Sequence, residues 1–420
     1  MNARTLAHLA LNKITYEQAY SNIILNDLLR KYPLSSEDVS FCTKLFYGTV
    51  QNKIYLDYQL EPYLKEKKQK PWVINLLRLA LYQMFFLSVP DYAAINEAVT
   101  MAKKKNKALG SFVNAVLRNV QRNGKRSLEY LNPLMRLSIE YSYPFWLVEL
   151  FVRDYGVLET EKILAAEKEE RPLFIRVNRL KGTKEEVEAA LKENYDLETT
   201  PLPLAYSTTG AIQKDPIFLS GKITIQDLSA QYVALILAPK NTERIIDLCA
   251  APGGKTAHLA DLMENLGEII ACDIHPHKLE LMEKGFKRLG VENVKTHLLD
   301  ARTVHNAFPK HSFDKVLADV PCSGLGVTQH KPDIKYSLDK NMIAELVLLQ
   351  REILEAGWEL LKPGGDFVYS TCTLNREENE EQIQEFTKRH PEAEIVEEKK
   401  ILPYEYASDG FYICKLRRLS

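Results

Sequence analysis

The stretch RIIDLCAAPGGKTAHLADLME, residues 244–264, decides how the chain is read. RIIDLCA is a short apolar run ending in polar residues and reads as a strand. In the loop that follows, Gly253 and Gly254 permit a sharp turn and a close approach of the backbone to a ligand, and Pro252 stiffens it. KTAHLADLME then reads as a helix, whose first turn offers amide donors without helical partners. Such a loop could cradle a nucleotide-like cofactor, although it has neither GxGxxG nor the GxxxxGK spacing. A Gly-Gly pair by itself is more often only a turn, so the reading depends on its surroundings.

Downstream the same alternation repeats. GEIIACDI (267–274) is a strand and HKLELMEKGFKRLG (277–290) a helix; VKTHLLDA (294–301), DKVLADV (314–320) and GDFVYSTC (365–372) are further strands, each ending near an Asp or Cys. Strands alternating with helices predict a doubly wound, largely parallel sheet over residues 226–420, with ligands at the carboxyl ends of its strands. Asp273 ends the next strand 20 residues after Gly253, where an acid can bind ribose hydroxyls, and Asp300 ends the third, where it could meet an adenine. Either aspartate alone is equally a helix cap. Three such features at successive strand ends point to one adenosine-type ligand. Residues 376–400, REENEEQIQEFTKRHPEAEIVEEKK, are read as a charged helix.

Upstream, residues 170–225 are expected to form a small α/β module. PLFIRVN (172–178) is its strand and GTKEEVEAALKEN (182–194) its helix, with Thr183 as cap and Glu186 three residues on. Residues 126–169 are read as a helical connector and 1–125 as an all-helical bundle. YEQAYSNIILNDLLRKY (16–32) and PWVINLLRLALYQMFFL (71–87) have helical spacing, and Ser35 opens a helix before Glu37 and Asp38. Residues 1–130 carry 19 Lys+Arg against 10 Asp+Glu, and the remainder 36 against 46, so a basic N-terminal part precedes an acidic body. An anionic polymer is a natural partner for the basic part; a solvated face is the plainer explanation.

The 420 residues suit two or three domains, and 45% hydrophobic with 26% charged residues is a globular balance. No apolar run reaches the roughly 20 residues of a membrane helix, and no signal-peptide pattern opens the chain, so a cytoplasmic protein is expected. The six cysteines form no CxxC pair, which argues against a disulfide framework or structural zinc and leaves thiols for chemistry. His275 and His277, two apart beside a proline, are weak metal ligands, and none is expected. Cys272, Cys42 and Cys414 are expected to be packed. A lone buried cysteine is usually just a small apolar residue. Cys322 in DVPCSGLG (319–326) and Cys372 in STCTLNREENE (370–380) are different, because both fall at strand ends on the predicted ligand rim and Cys322 lies near Asp319.

DLCAAPGGKT (247–256), ADVPCSGLG (318–326), YSTCTLNREENE (369–380) and DGFYICKLRR (409–418), in this order, resemble motifs of the NOL/NOP/Sun RNA 5-methylcytosine methyltransferases. The helical N-terminal part resembles NusB. The resemblance spans nearly the whole chain. It implies an all-α NusB-like bundle, a small α/β module and a Rossmann-like class I methyltransferase domain that uses S-adenosyl-L-methionine. It implies transfer of a methyl group to carbon 5 of a cytosine in 16S ribosomal RNA. The target base must be unpaired or looped to reach a recessed thiol, no membrane partner is expected, and an RNA enzyme of this size could work as a monomer. Cofactor contacts then fall on Cys249 (through its backbone), Ala250, Ala251, Pro252, Gly253, Gly254, Lys255, Asp273, Asp300 and Asp319. Carbon 5 is a poor nucleophile until a thiolate adds to carbon 6, so the chemistry needs an attacking cysteine and a group on the ring's N3 edge. The family's Thr-Cys motif makes Cys372 the nucleophile and leaves Cys322 for product release; Asp319 is the best candidate for the cytosine N3 or amino edge. Lys103, Lys104, Lys105, Lys107, Arg118, Arg122, Lys125 and Arg126 would clamp RNA phosphates around the target.

Competing readings are a DNA or free-nucleotide methyltransferase attacking through Cys322, an enzyme of another RNA such as tRNA, and a non-catalytic NusB-like RNA-binding factor. Methylation of an exocyclic amine is disfavoured, since Asp319-Val-Pro-Cys departs from the Asn/Asp-Pro-Pro-aromatic pattern.

Overall fold

Ten helices account for most of residues 1–168 in the computed structural model, which describes residues 1–17, 21–64 and 69–419. The predicted helical segment 16–32 crosses residues 18–20, which lie outside the described ones. Leu6, Phe46, Leu77, Ile95 and Leu117 meet in one buried core, the result of apolar residues recurring every three or four positions. Ser35 caps the helix Ser36–Gln51, its hydroxyl accepting the Asp38 amide at 3.2 Å. The helices Asp91–Lys105 and Lys107–Asn123 meet at Asn106, and Pro133–Glu140, Phe145–Tyr155 and Val157–Ala166 complete the connector.

This unit, Met1–Lys168, also contains the later segment Thr328–Ser337. Asp333 accepts the amide of Ser21 at 3.1 Å, and Thr328 hydrogen-bonds Tyr143 at 2.5 Å. Lys335 is fully buried: its ammonium donates to the Gln51 carbonyl at 3.1 Å and lies 4.3 Å over the Tyr143 ring.

The second unit, Glu169–Val327 and Leu338–Ser420, holds two sheets. Strands β1 (Leu173–Val177), β2 (Leu197–Thr199), β3 (Ala205–Thr208) and β4 (Ile223–Ile225) form an antiparallel sheet of order β2-β3-β1-β4. Its helix Lys184–Lys192 carries the expected capping box between Thr183 and Glu186. The fully buried Arg176 fastens this module to the helix Gly254–Leu262, its guanidinium reaching Asp261 at 2.6 Å and Gln226 at 2.9 Å.

The larger sheet comprises β5 (Arg244–Asp247), β6 (Glu268–Asp273), β7 (Val294–Leu298), β8 (Phe313–Asp319), β9 (Leu361–Thr371), β10 (Ala393–Ile401) and β11 (Phe411–Arg418), in the order β10-β11-β9-β8-β5-β6-β7. β5 to β9 pair in parallel, as the strand–helix alternation predicts, while β10 and β11 add antiparallel. One expectation fails here. The charged run 376–400 is α-helical only over Glu380–Arg389, after a 3-10 turn at Arg376–Glu378; Ala393–Ile401 is the edge strand β10. An edge strand pairs on one side only, and most of β10 is exposed, so no apolar alternation marks it.

Candidate active site

Because β6, β5, β8 and β9 run parallel, the loops after them share one rim of the sheet. The loop after β5 is tied to β6 by the Ala250 amide, which donates to the Cys272 carbonyl at 2.8 Å. Gly253 has φ +96°, a conformation that disfavours side chains, and a Cβ there would come within 3.0 Å of the Phe286 ring. At Gly254, where the helix starts, a Cβ would meet no atom within 4 Å. Beneath the loop lies the buried Asp247. Its Oδ2 accepts the Thr256 hydroxyl at 2.7 Å, while its Oδ1 has no partner. Burial, opposed by that hydrogen bond, pushes its pKa up to about 7. An unpaired buried carboxylate oxygen beside a glycine turn suits the α-ammonium group of S-adenosylmethionine, so the residues present fit that cofactor.

The other predicted cofactor residues differ in their surroundings. Asp273 is nearly buried at the end of β6; its Oδ1 accepts the His275 amide at 2.9 Å, and its Oδ2 lies 3.8 Å from the Lys278 ammonium. Asp300 caps the short helix Ala301–Asn306 and is paired with the Arg302 guanidinium at 2.6 Å, which holds its carboxyl below the usual range. Cys249 is half-buried, and burial pushes its thiol well up, as suits a contact made through its backbone. Cys42, Cys272 and Cys414 are buried.

Lys255 and Asp319 come together: Nζ donates to Oδ2 at 2.6 Å, and Oδ1 accepts the Ser370 hydroxyl at 2.8 Å. Burial alone would lower the ammonium's pKa. The charge and hydrogen bond of Asp319, then the sulfur of Cys372, outweigh it and lift Lys255 above its ordinary value. The same ammonium lies 5.1 Å over the Phe411 ring.

The two rim cysteines are thiols with their Sγ atoms 3.4 Å apart. Cys322 is pushed well up, first by its hydrogen bond with Cys372, then by burial and by the charges of Cys372 and Glu378. The loops carrying them are stitched together: Val320 N donates to Ser370 O at 3.0 Å, Gly326 N to Cys372 O at 3.0 Å, and Gly410 N to Gly326 O at 2.8 Å.

Sequence reading passed over Asp247, Ser370, Phe411, Glu378 and the Gly326–Gly410 contact. All lie inside the quoted motifs, and Asp247 ends a strand just as Asp273 does. The basic residues Lys103, Lys104, Lys105, Lys107, Arg118, Arg122, Lys125 and Arg126 are all exposed, in the other unit. Three of them end the helix Asp91–Lys105, where cations also complement the helix dipole.

Known proteins resemble this chain along its whole length. Residues 234–417 match the family model described as 16S rRNA methyltransferase RsmB/F, residues 1–122 the NusB family, and residues 143–207 an RsmF/B-like ferredoxin-like domain. A probable ribosomal RNA small subunit methyltransferase B of Bacillus subtilis (strain 168) is 40% identical, over 99% of both chains. The crystal structure of PH0851 superposes with a TM-score of 0.83 at 26% identity, over 99% of both chains. The structure of NSun6 from Pyrococcus horikoshii with SFG superposes at 0.61 and 26% identity, covering 65% of this chain and 97% of that one.

Proposed function

We propose, from the premise that this chain belongs to the RsmB/F family of 16S rRNA methyltransferases, that it methylates carbon 5 of one cytosine in 16S rRNA through a covalent bond to Cys372. The observation that carries this reading is the pair of sulfurs 3.4 Å apart beside the Lys255–Asp319 ion pair, on the rim where the cofactor loop ends. S-adenosylmethionine, when bound, supplies an electrophilic methyl group. Asp247 and the 249–255 loop would hold it, with Asp273 on its ribose, Asp300 toward its adenine and Asp319 toward its methyl end.

The Cys372 thiol gives its proton to Asp319, Lys255 stabilises the resulting thiolate, and that thiolate adds to carbon 6 of the ring. Asp319, now protonated and steadied by Lys255 and Ser370, donates to the cytosine N3 as negative charge develops there. Carbon 5, now part of an enamine, takes the methyl group. The carbon 5 proton then leaves, its electron pair closes the C5=C6 bond, and the C6–S pair returns to Cys372. Cys322 assists this last step. The target base must leave any stack to reach a recessed thiol, so a loop or unpaired cytosine is the substrate. Residues 1–125 would supply phosphate contacts and residues 226–420 the chemistry, in the cytoplasm.

Two variants test the assignment. Cys372→Ala forms no denaturant-resistant RNA adduct and no product. Cys322→Ala, given S-adenosylmethionine, stays trapped on RNA. Gel electrophoresis distinguishes them, and an adduct from Cys372→Ala but none from Cys322→Ala would make Cys322 the nucleophile.

A further inference from the structure

We propose that Glu378 is a positioning residue for product release, holding the Cys322 thiol against the sulfur of Cys372; the proposal rests on the two-cysteine reading above. Glu378 is fully buried, and among the described residues no Lys, Arg or His pairs with it. Burying a carboxylate without a cation is unfavourable, so its surroundings must supply donors. Four converge on it: the Ser323 amide at 2.8 Å, the Ser323 hydroxyl at 2.5 Å, the Gln350 amide nitrogen at 2.9 Å and the Asn375 amide nitrogen at 3.1 Å.

These contacts fix both neighbours of Cys322. Ser323 follows it, and Gln350 also donates to the carbonyl of Pro321, which precedes it, at 2.9 Å. The next residue does the same for the other cysteine. Asn379 accepts the Thr371 hydroxyl at 2.6 Å and donates to the Thr373 carbonyl at 2.9 Å, so both neighbours of Cys372 are held. One turn, 375–379, thus sets the separation of the two sulfurs. The charge of Glu378 also disfavours a thiolate at Cys322.

In the release step Cys322 gives its proton to the departing sulfur of Cys372 and takes up the carbon 5 proton in its place, leaving both groups as thiols. A misplaced Cys322 would slow this step while sparing addition and methyl transfer.

The test compares Glu378→Gln with Cys322→Ala in the full-length protein. An amide has one acceptor oxygen and sets its NH2 against the donors around it, so the clamp loosens. Glu378→Gln is expected to keep single-turnover methyl transfer within about threefold, lose about tenfold or more in multiple turnover, and accumulate an RNA complex that requires S-adenosylmethionine. Multiple turnover at the wild-type rate without a complex would overturn the proposal, as would equal losses in both regimes. If Glu378→Gln does not fold, Ser323→Ala removes one donor and should show the same split more weakly; a wild-type ratio there would overturn it. If Cys322→Ala forms no complex, the two-cysteine reading falls and takes this proposal with it. If Cys322→Ala traps RNA and Glu378→Gln does not, this proposal alone falls.

Discussion

Asp247 keeps one carboxylate oxygen without a partner in a buried place, with a pKa near 7. Its charged form is disfavoured in the fold, so its contribution to the stability of the unliganded protein is full below the ordinary carboxylate pKa and is lost as pH rises through about 7. A ligand ammonium needs the charged form and reverses that preference. Affinity for S-adenosylhomocysteine, which carries the same ammonium, should therefore fall as pH drops below about 7, by up to about tenfold per unit. Asp247→Asn should weaken binding at every pH yet stabilise the unliganded protein at pH 8 by roughly 1–3 kcal/mol. Calorimetric titration and thermal unfolding between pH 6 and 8 check both, and a flat affinity profile would remove Asp247 from the site. The strand-end rule that singles out Asp273 and Asp300 applies equally to Asp247. What sequence cannot display is the pairing of each carboxylate: Asp300 is held by Arg302 in its own turn, while Asp247 is half-satisfied by Thr256.

Loops after parallel strands bring Cys322 and Cys372 together, and Gly326 shows how tightly. A Cβ on Gly326 would lie 2.0 Å from the Gly410 carbonyl oxygen and 2.9 Å from that of Cys372. Gly326→Ala must push the Pro-Cys loop away from both partners. It should cost about 1–3 kcal/mol of stability, as overpacking does, and abolish methyl transfer while S-adenosylhomocysteine still binds. Retained activity in that variant would show the contact to be dispensable. Elements specified by their own residues were legible: the Ser35 cap, the Thr183–Glu186 box and the five parallel strands follow from local pattern and turn chemistry. β10 was not, because an exposed edge strand rich in glutamate and lysine shares its composition with a solvated helix. The 375–379 clamp was visible only as a run of polar residues, since its meaning lies in contacts with Ser323 and Gln350, far along the chain.

Across the whole molecule the basic residues expected to meet RNA lie in Met1–Lys168 and the rim cysteines in the second unit. Residues 328–337, seated in the helical unit, carry no local pattern that announces this; buried Lys335 and the Asp333–Ser21 contact make sense only once the chain is folded. If the basic face holds RNA, neutralising Lys103, Lys104, Lys105 and Lys107 should weaken binding of a 16S rRNA fragment. It should also flatten the salt dependence by up to about one unit of slope per lost phosphate contact. An unchanged slope in filter binding would reduce these lysines to a solvated face. The central claim, a cytosine carbon 5 methylated through Cys372, is tested most directly by bisulfite sequencing of 16S rRNA from cells lacking the protein and from cells supplied with wild type or Cys372→Ala. One cytosine should convert in the deficient cells, be protected again by wild type and remain convertible with Cys372→Ala. An identical conversion pattern with and without the protein, or protection restored by Cys372→Ala, would contradict the account.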